Sequence, residues 1–478
     1  VNVLAIDQGT SSTKALVVDE AGEVLSIASV PVRPVAVAGG VEQDPHELLA
    51  SVLGAGRAAL AGTKQPVRAV ALANQGETVM AWDRASGVPE GPAISWQDRR
   101  ATERCEGMDP EVATRLTSIS GLPLDPYFSA PKMAWLRPQV APTSVITTTD
   151  TWLLHQLCGA FVTDVTTASR SMLLDLASRG WSQDACDAFD LDATTLPEIV
   201  GCATSIGHTD AFGPRLEVVG LAVDQQAALV GERCLEPGEA KCTYGTGAFL
   251  LMACGAAPVH SSAGLSASVA WSVGEDAAYC LDGQSYTAGA AIGWLVTLGL
   301  LDSPEALDAT CASVPDSGGV TVVPSLAGLG APWWQPGAQG LIEGLGLHVT
   351  KAHLVRAVVE GLAAQVALLG RSAASDLGAP LGTLRVDGGL ARSSALLQAQ
   401  ADLNQAPVEV FPSPHATALG VATLSQCGLD PTRGLSTERM APAATYEPRL
   451  SAPEAEERLA RFDAAARRSI EAHEEAQS

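Results

Sequence analysis

The feature that most restricts the fold is a strand–turn–strand unit that occurs twice. Val3-Leu4-Ala5-Ile6-Asp7 is a short apolar run ending in a carboxylate; a Gly/Thr/Ser turn and a second apolar run, Ala15–Val18, follow it. Far downstream, Ala240-Lys241-Cys242-Thr243 leads through Tyr244-Gly245-Thr246-Gly247 into Ala248–Cys254. Each unit sets a Gly-Thr turn between two apolar strands. Consecutive amides and hydroxyls in such a turn make an anion-binding concavity, and glycine lets a ligand approach the backbone closely. The repeat predicts an internal duplication of a phosphate-holding hairpin, one per lobe. The polar, Pro/Gly-containing stretch Cys234–Glu239 is the expected joint, dividing the chain into residues 1–232 and 233–478.

A chain of 478 residues has room for two such cores. Val24–Ile27 continues the opening hairpin as a three-stranded meander, and Arg68–Ala73 and Leu216–Ala222 read as buried strands. Helices are expected at Pro45–Ala61, Pro110–Ser120, Ser129–Leu136, Thr149–Leu157 and Ala395–Leu403. Leu459, Phe462, Ala466 and Ile470 recur at helical spacing in the tail. The net charge of −24 makes nucleic acid and anionic membranes poor partners, so a polyphosphate site must be built locally. The 10 cysteines include no C-x-x-C pair and several lie in apolar runs, as expected of buried thiols in a reducing compartment. The N-terminus reads directly as a strand, and the longest apolar stretch, Ala288–Leu301, is too short for a bilayer. A cytoplasmic enzyme is the expectation.

Four groups of residues carry candidate chemistry. In Asp7–Lys14, Asp7 can hold Mg²⁺ through water and Lys14 can meet a phosphate; the plain alternative is an ordinary hairpin. In Val223-Asp224-Gln225-Gln226, a carboxylate at a strand's C-terminal end can accept a hydroxyl proton, or can cap the following helix. In Val386-Asp387-Gly388-Gly389, followed by Ser393-Ser394, a glycine pair before a helix suits a nucleotide or a plain strand-to-helix turn. Glu77, Trp96, Tyr127, Gln225 and Phe249 supply the carboxylate, amide, phenol and aromatic faces that suit a polyhydroxyl ligand. The chain has neither G-x-x-x-x-G-K-[ST] nor a helix-opening G-x-G-x-x-G, which disfavours P-loop and Rossmann enzymes.

In combination and in this order, these segments resemble the FGGY family of carbohydrate kinases, and within it the glycerol kinases. The resemblance also rests on Asn74–Thr78, Trp96–Arg100, Leu122–Ser129, Asp150–Leu153 and Thr163–Arg170. It implies an α/β fold of two RNase H-like lobes, the actin-like ATPase architecture, around a central cleft. Asp224 would be the catalytic base and Asp7 would support Mg²⁺. Thr10, Ser11, Lys14, Thr246 and Gly247 would cradle the phosphates of ATP. Gly289, Gly388, Gly389 and Ser393 would line the adenosine side. Gly76, Glu77, Trp96, Tyr127, Asp224, Gln225 and Phe249 would form the polyol pocket. The partner is a small polyol or sugar, and members of the family often form dimers or tetramers.

Three departures stand out. Gly76 occupies the place of an arginine that reaches a glycerol hydroxyl in glycerol kinases, which removes a charged donor and is expected to open space. Ser393-Ser394 replaces paired asparagines. Asp210–Arg215 is short and lacks the Gly-Gly-Thr-Arg stretch with which some glycerol kinases bind a sugar bisphosphate inhibitor. Three functions follow as expectations: a glycerol kinase proper, a kinase for a longer polyol or a pentulose such as xylulose, or an actin-like ATPase with no small-molecule acceptor.

Overall fold

β1 (Asn2–Gln8), β2 (Ser12–Val18) and β3 (Val24–Pro31) pair antiparallel in sequence. This computed structural model describes residues 1–477. β1 and β2 are apolar towards both faces and lie buried, whereas β3 alternates and forms the edge. β4 (Val67–Asn74) joins β1 in parallel. β5 (Ser205–Thr209) and β6 (Leu216–Val223) are an antiparallel pair, with β6 parallel to β4, so the sheet runs β5-β6-β4-β1-β2-β3. Helix α1 (Pro45–Ala61) starts at Asp44, whose carboxylate accepts from the His46 amide, and buries Leu48, Val52, Ala55 and Ala59 in the core behind this sheet. α2 (Pro110–Ser120), α3 (Ser129–Leu136) and α4 (Thr149–Cys158) form where the apolar spacing predicts them.

The second lobe repeats the pattern. β7 (Ala240–Tyr244) and β8 (Ala248–Gly255) form the second hairpin, and β9 (Ser266–Val273) and β10 (Asp276–Ser285) a third antiparallel pair. β11 (Leu384–Asp387) and β12 (Val408–Val410) extend beyond β7 in parallel, and β13 (Ala444–Tyr446) closes antiparallel. The order is β9-β10-β8-β7-β11-β12-β13. Read outward from its hairpin, β10-β8-β7-β11-β12-β13 has the same strand senses as β3-β2-β1-β4-β6-β5, with β9 added. The duplication expected from two Gly-Thr turns therefore extends to whole sheets.

Helix α5 (Asp224–Gly231) leaves the end of β6, and α6 (Gly289–Thr297) leaves the end of β10. The longest helix, α7 (Lys351–Leu377), is apolar enough over its length to cross a membrane by composition, yet is largely buried against β8 and β10. α8 (Ser394–Asn404) follows the glycine pair after β11. α9 (Ala416–Leu429) packs across α5 and onto β6. There a Cβ on Gly420 would lie 1.7 Å from the Ala227 carbonyl oxygen, and one on Gly231 would lie 2.1 Å from that of Ala416. The tail forms α10 (Ala452–Gln477), with Leu459, Phe462 and Ala466 buried. All ten cysteines are free, and eight are buried.

Candidate active site

The strand ends that face the cleft bring carboxylates from both sheets together. Asp7 lies near the end of β1, with Lys14 as its cross-strand partner on β2. Asp224 opens α5 directly after β6. Asp387 ends β11 beside Thr243 of β7. Burial pushes the Asp7 carboxyl up to about 6, with Lys14 opposing and Asp387 reinforcing the shift. Asp224 is also pushed up to about 6, chiefly by burial and then by Asp7, while Lys241 opposes. Asp387 is raised by burial and held back by Lys241 and the Thr243 hydroxyl. A strand-end carboxylate poised near neutrality is the state that proton acceptance from a hydroxyl requires.

The phosphate hairpins are closed by short backbone bonds. Gly9 N–H donates to Ser12 O at 3.1 Å, and Gly245 N–H to Gly247 O at 2.8 Å. The second hairpin receives the start of α6: Ala288 N–H donates to Thr246 O at 2.7 Å and Gly289 N–H to Gly245 O at 2.9 Å. Three of the expected nucleotide glycines are required by close approach. A Cβ on Gly247 would sit 2.5 Å from Ser285 O, one on Gly289 2.7 Å from Gly245 O, and one on Gly388, at φ +91°, 2.4 Å from Tyr244 O. Gly389 instead faces open space. Thr246 and Ser11 are exposed at their turns. Ser393 caps α8, and its hydroxyl donates to Asp308 at 2.6 Å. Asp308 also accepts from the Ser394 amide and hydroxyl, so the serine pair is anchored inward.

Of the residues expected to bind a polyol, Tyr127 and Phe249 pack against Trp96. Its indole ring meets Tyr127 edge-on at 5.6 Å and Phe249 of the other lobe at 6.1 Å. Its Nε1–H donates to the Thr10 hydroxyl oxygen at 2.9 Å. Glu77 is buried in a left-handed backbone conformation, φ +58°, and accepts from Arg170 Nε at 2.7 Å. Arg170 also pairs with Asp282 of β10 at 2.8 Å, forming a buried triad across the two lobes. Burial raises the Glu77 carboxyl, and Arg170 opposes that rise. The space beside Gly76 is not what the sequence suggests: a Cβ there would meet Val223 Cγ2 at 2.8 Å. The side chain preceding the base already fills the first part of the volume that a glycine was expected to open.

A Mg²⁺ ion fits this arrangement as a hydrated ion. Among the described residues no three carboxylate, thiol or imidazole groups converge into a direct cage. Asp387 Oδ1, however, is buried without a hydrogen-bond partner, close enough to raise Asp7. Mg²⁺ commonly keeps several waters and uses one or two carboxylates.

Arg170, Lys241, Asp282 and Asp308 are absent from the sequence expectations as individual site residues, and Asp387 appears there only beside its glycines. Two of them carry a signal in hindsight. Lys241 and Asp282 are charges embedded in otherwise apolar strands, which burial makes unfavourable unless a partner or a task is present.

Residues 2–231 match the N-terminal domain, and residues 240–427 the C-terminal domain, of the FGGY family of carbohydrate kinases. The chain is 40% identical to a glycerol kinase of Alkalilimnicola ehrlichii, with 98% of each chain covered. Among solved structures, a Plasmodium falciparum glycerol kinase with ADP superposes with a TM-score of 0.90 at 29% identity, covering 98% of both chains. A ligand-bound xylulose kinase from Lactobacillus acidophilus has a TM-score of 0.87 at 20% identity, covering 100% of this chain and 98% of that one; it shares the fold.

Proposed function

Because the chain belongs to the FGGY family of carbohydrate kinases, ATP-dependent phosphotransferases with an alcohol acceptor, we propose that it phosphorylates a hydroxyl of a small polyol with Asp224 as the general base. The observation that carries this reading is the place of Asp224, at the end of β6 and next to Gln225, within electrostatic reach of Asp7 of the first hairpin and of Glu77 and Tyr127. As the acceptor oxygen bonds to the γ-phosphorus, the bond to the departing ADP breaks and the hydroxyl proton passes to Asp224. Thr10, Ser11, Lys14, Thr246 and Gly247 hold the phosphates, and Gly289, Gly388 and Gly389 give the adenosine room. Asp7 and Asp387 would hold Mg²⁺ through water, and the ion when bound neutralises phosphate charge. Glu77 accepts from acceptor hydroxyls, and the aromatic walls cover its C–H faces.

Glycerol is the first acceptor this reading names, on the strength of the 40% identity to a glycerol kinase over 98% of both chains. A tetritol, pentitol or pentulose is the second, and the absence of a charged donor at Gly76 favours it. ADP release is to be measured across C3–C6 polyols and ketoses. Turnover that needs no acceptor would overturn the reading in favour of a plain ATPase.

A further inference from the structure

Lys241 sits in the middle of β7 with no exposed surface. Its Nζ donates to Gln225 Oε1 at 2.5 Å and to Thr243 Oγ1 at 2.9 Å. Gln225 belongs to lobe one and directly follows the base; Lys241 and Thr243 belong to lobe two. Thr243 is the cross-strand neighbour of Asp387 and holds that carboxyl down against the rise that burial causes.

The directions of these bonds follow from the chemistry of the groups. An ammonium group offers only donors, so Gln225 must turn its carbonyl oxygen towards Lys241. That choice leaves the amide NH₂ on the other side of the group, and Asp224, the preceding residue, is close enough for the Gln225 side chain to hold its carboxyl down. The two N–H groups of the amide are then available to the base and to an acceptor oxygen. Thr243 receives the lysine on its oxygen and has its own proton left for Asp387. Lys241 thus joins Thr243 of one lobe to Gln225 of the other, with its donors fixing which oxygen each turns towards it.

We propose that Lys241 is a positioning residue for the acceptor: it locks the amide of Gln225 so that the NH₂ presents donors to the Asp224 carboxylate and to an oxygen of the bound polyol, across the lobe boundary. The inference rests on the kinase reading above. Without the lysine the Gln225 carbonyl oxygen loses its cationic donor, and the flip that turns this oxygen towards the acceptor side is no longer penalised by an N–H set against an ammonium.

The test is a cycle of Lys241→Met, Gln225→Ala and the double variant, with acceptor KM, kcat and calorimetric ATP binding measured for each. Each single variant should raise the acceptor KM about 10- to 100-fold, the scale of a lost hydrogen bond to a charged group. The double variant should be no worse than either, and ATP affinity should stay at the wild-type value. Gln225→Glu retains a partner for Lys241 and loses the NH₂, so it should match Gln225→Ala; it also stands in if Lys241→Met does not fold. Multiplying effects in the double variant, an unchanged acceptor KM in Lys241→Met, or near-normal kinetics in Gln225→Glu would overturn the proposal. If the wild type phosphorylates no polyol or ketose at all, the kinase reading itself falls and takes this inference with it.

Discussion

Trp96 Nε1–H donates to the Thr10 hydroxyl oxygen at 2.9 Å, so the side chain that packs with Tyr127 and Phe249, the proposed acceptor wall, also braces the first Gly-Thr hairpin. Trp96→Phe keeps an aromatic wall and removes the donor. A neutral hydrogen bond is worth about 0.5–1.5 kcal/mol, roughly two- to tenfold. The expected result is a rise of that size in the KM of ATP, a substrate that the ring does not face directly. Steady-state kinetics with ATP varied at saturating acceptor checks it; an effect on the acceptor alone would contradict the coupling.

Asp224→Asn keeps the shape of the base and removes its proton acceptor. A fall in kcat of ~10²–10⁴-fold is expected, with ATP affinity little changed. In the wild type, kcat/KM should be flat above pH 6 and decline below it, because Asp224 titrates at about 6 and only its ionised form is competent. In the unliganded protein burial likewise pushes Asp7 up to about 6. Stability runs the other way. Both carboxyls are raised above 3.8 on folding, so their contribution is full below that value and is lost as pH rises through about 6. Thermal melts of the unliganded protein should therefore show it gaining stability as pH falls from neutral towards 5.

Arg170 serves two carboxylates from opposite lobes, Glu77 and Asp282, and all three side chains are at most 10% exposed. Arg170→Met strands both charges. Breaking a buried ion pair from one side typically costs about 3–5 kcal/mol. Urea denaturation should register a loss of this order, and Glu77→Gln in the Arg170→Met background should recover part of it.

Gly76→Arg is expected to impair activity on every acceptor. Its Cβ alone would press Val223 Cγ2 at 2.8 Å, and Val223 immediately precedes Asp224. Overpacking of this kind typically costs about 1–3 kcal/mol. A kcat/KM series over glycerol, erythritol, ribitol, xylitol and pentuloses decides the matter. A variant that gains activity on glycerol would show that Val223 yields and that the pocket does have spare room.

Fructose bisphosphate at millimolar concentration should leave the rate unchanged. The short segment Asp210–Arg215 is held down rather than arranged around an anion. Both Arg57 Nε and an Arg57 terminal nitrogen donate to the Ala211 carbonyl, at 3.0 and 2.7 Å, and Phe212 is buried against Gly56 of α1. Saturable inhibition in the same ADP-release assay would show that this segment does bind the sugar bisphosphate.

The fold was legible wherever the chain repeats a local pattern. The paired Gly-Thr turns and the apolar runs around them give both hairpins, and α1, α2 and α3 begin and end where Pro45–Ala61, Pro110–Ser120 and Ser129–Leu136 were expected. The site was legible where one residue faces the cleft from a strand end, as Asp7 and Asp224 do. What stayed hidden was partnership between distant segments. Arg170 reads as one basic residue after a small helix, and only the fold sets Asp282 beside it, from the other sheet. Gly76 shows the same limit from the other side. A missing side chain reads as a space in the sequence, and the backbone of β6 had already brought Val223 into it.

The crossing of α5 and α9 has a mechanical meaning. Where Gly231 and Gly420 meet the opposite backbone, there is no room for a Cβ. Backbones this close hold the two helices at one separation, and any side chain at either glycine would force them apart. Asp224 is mounted at the other end of α5. A side chain at the glycine contact would therefore lever Asp224 out of place, so the position of that carboxylate depends on a contact at the far end of its own helix.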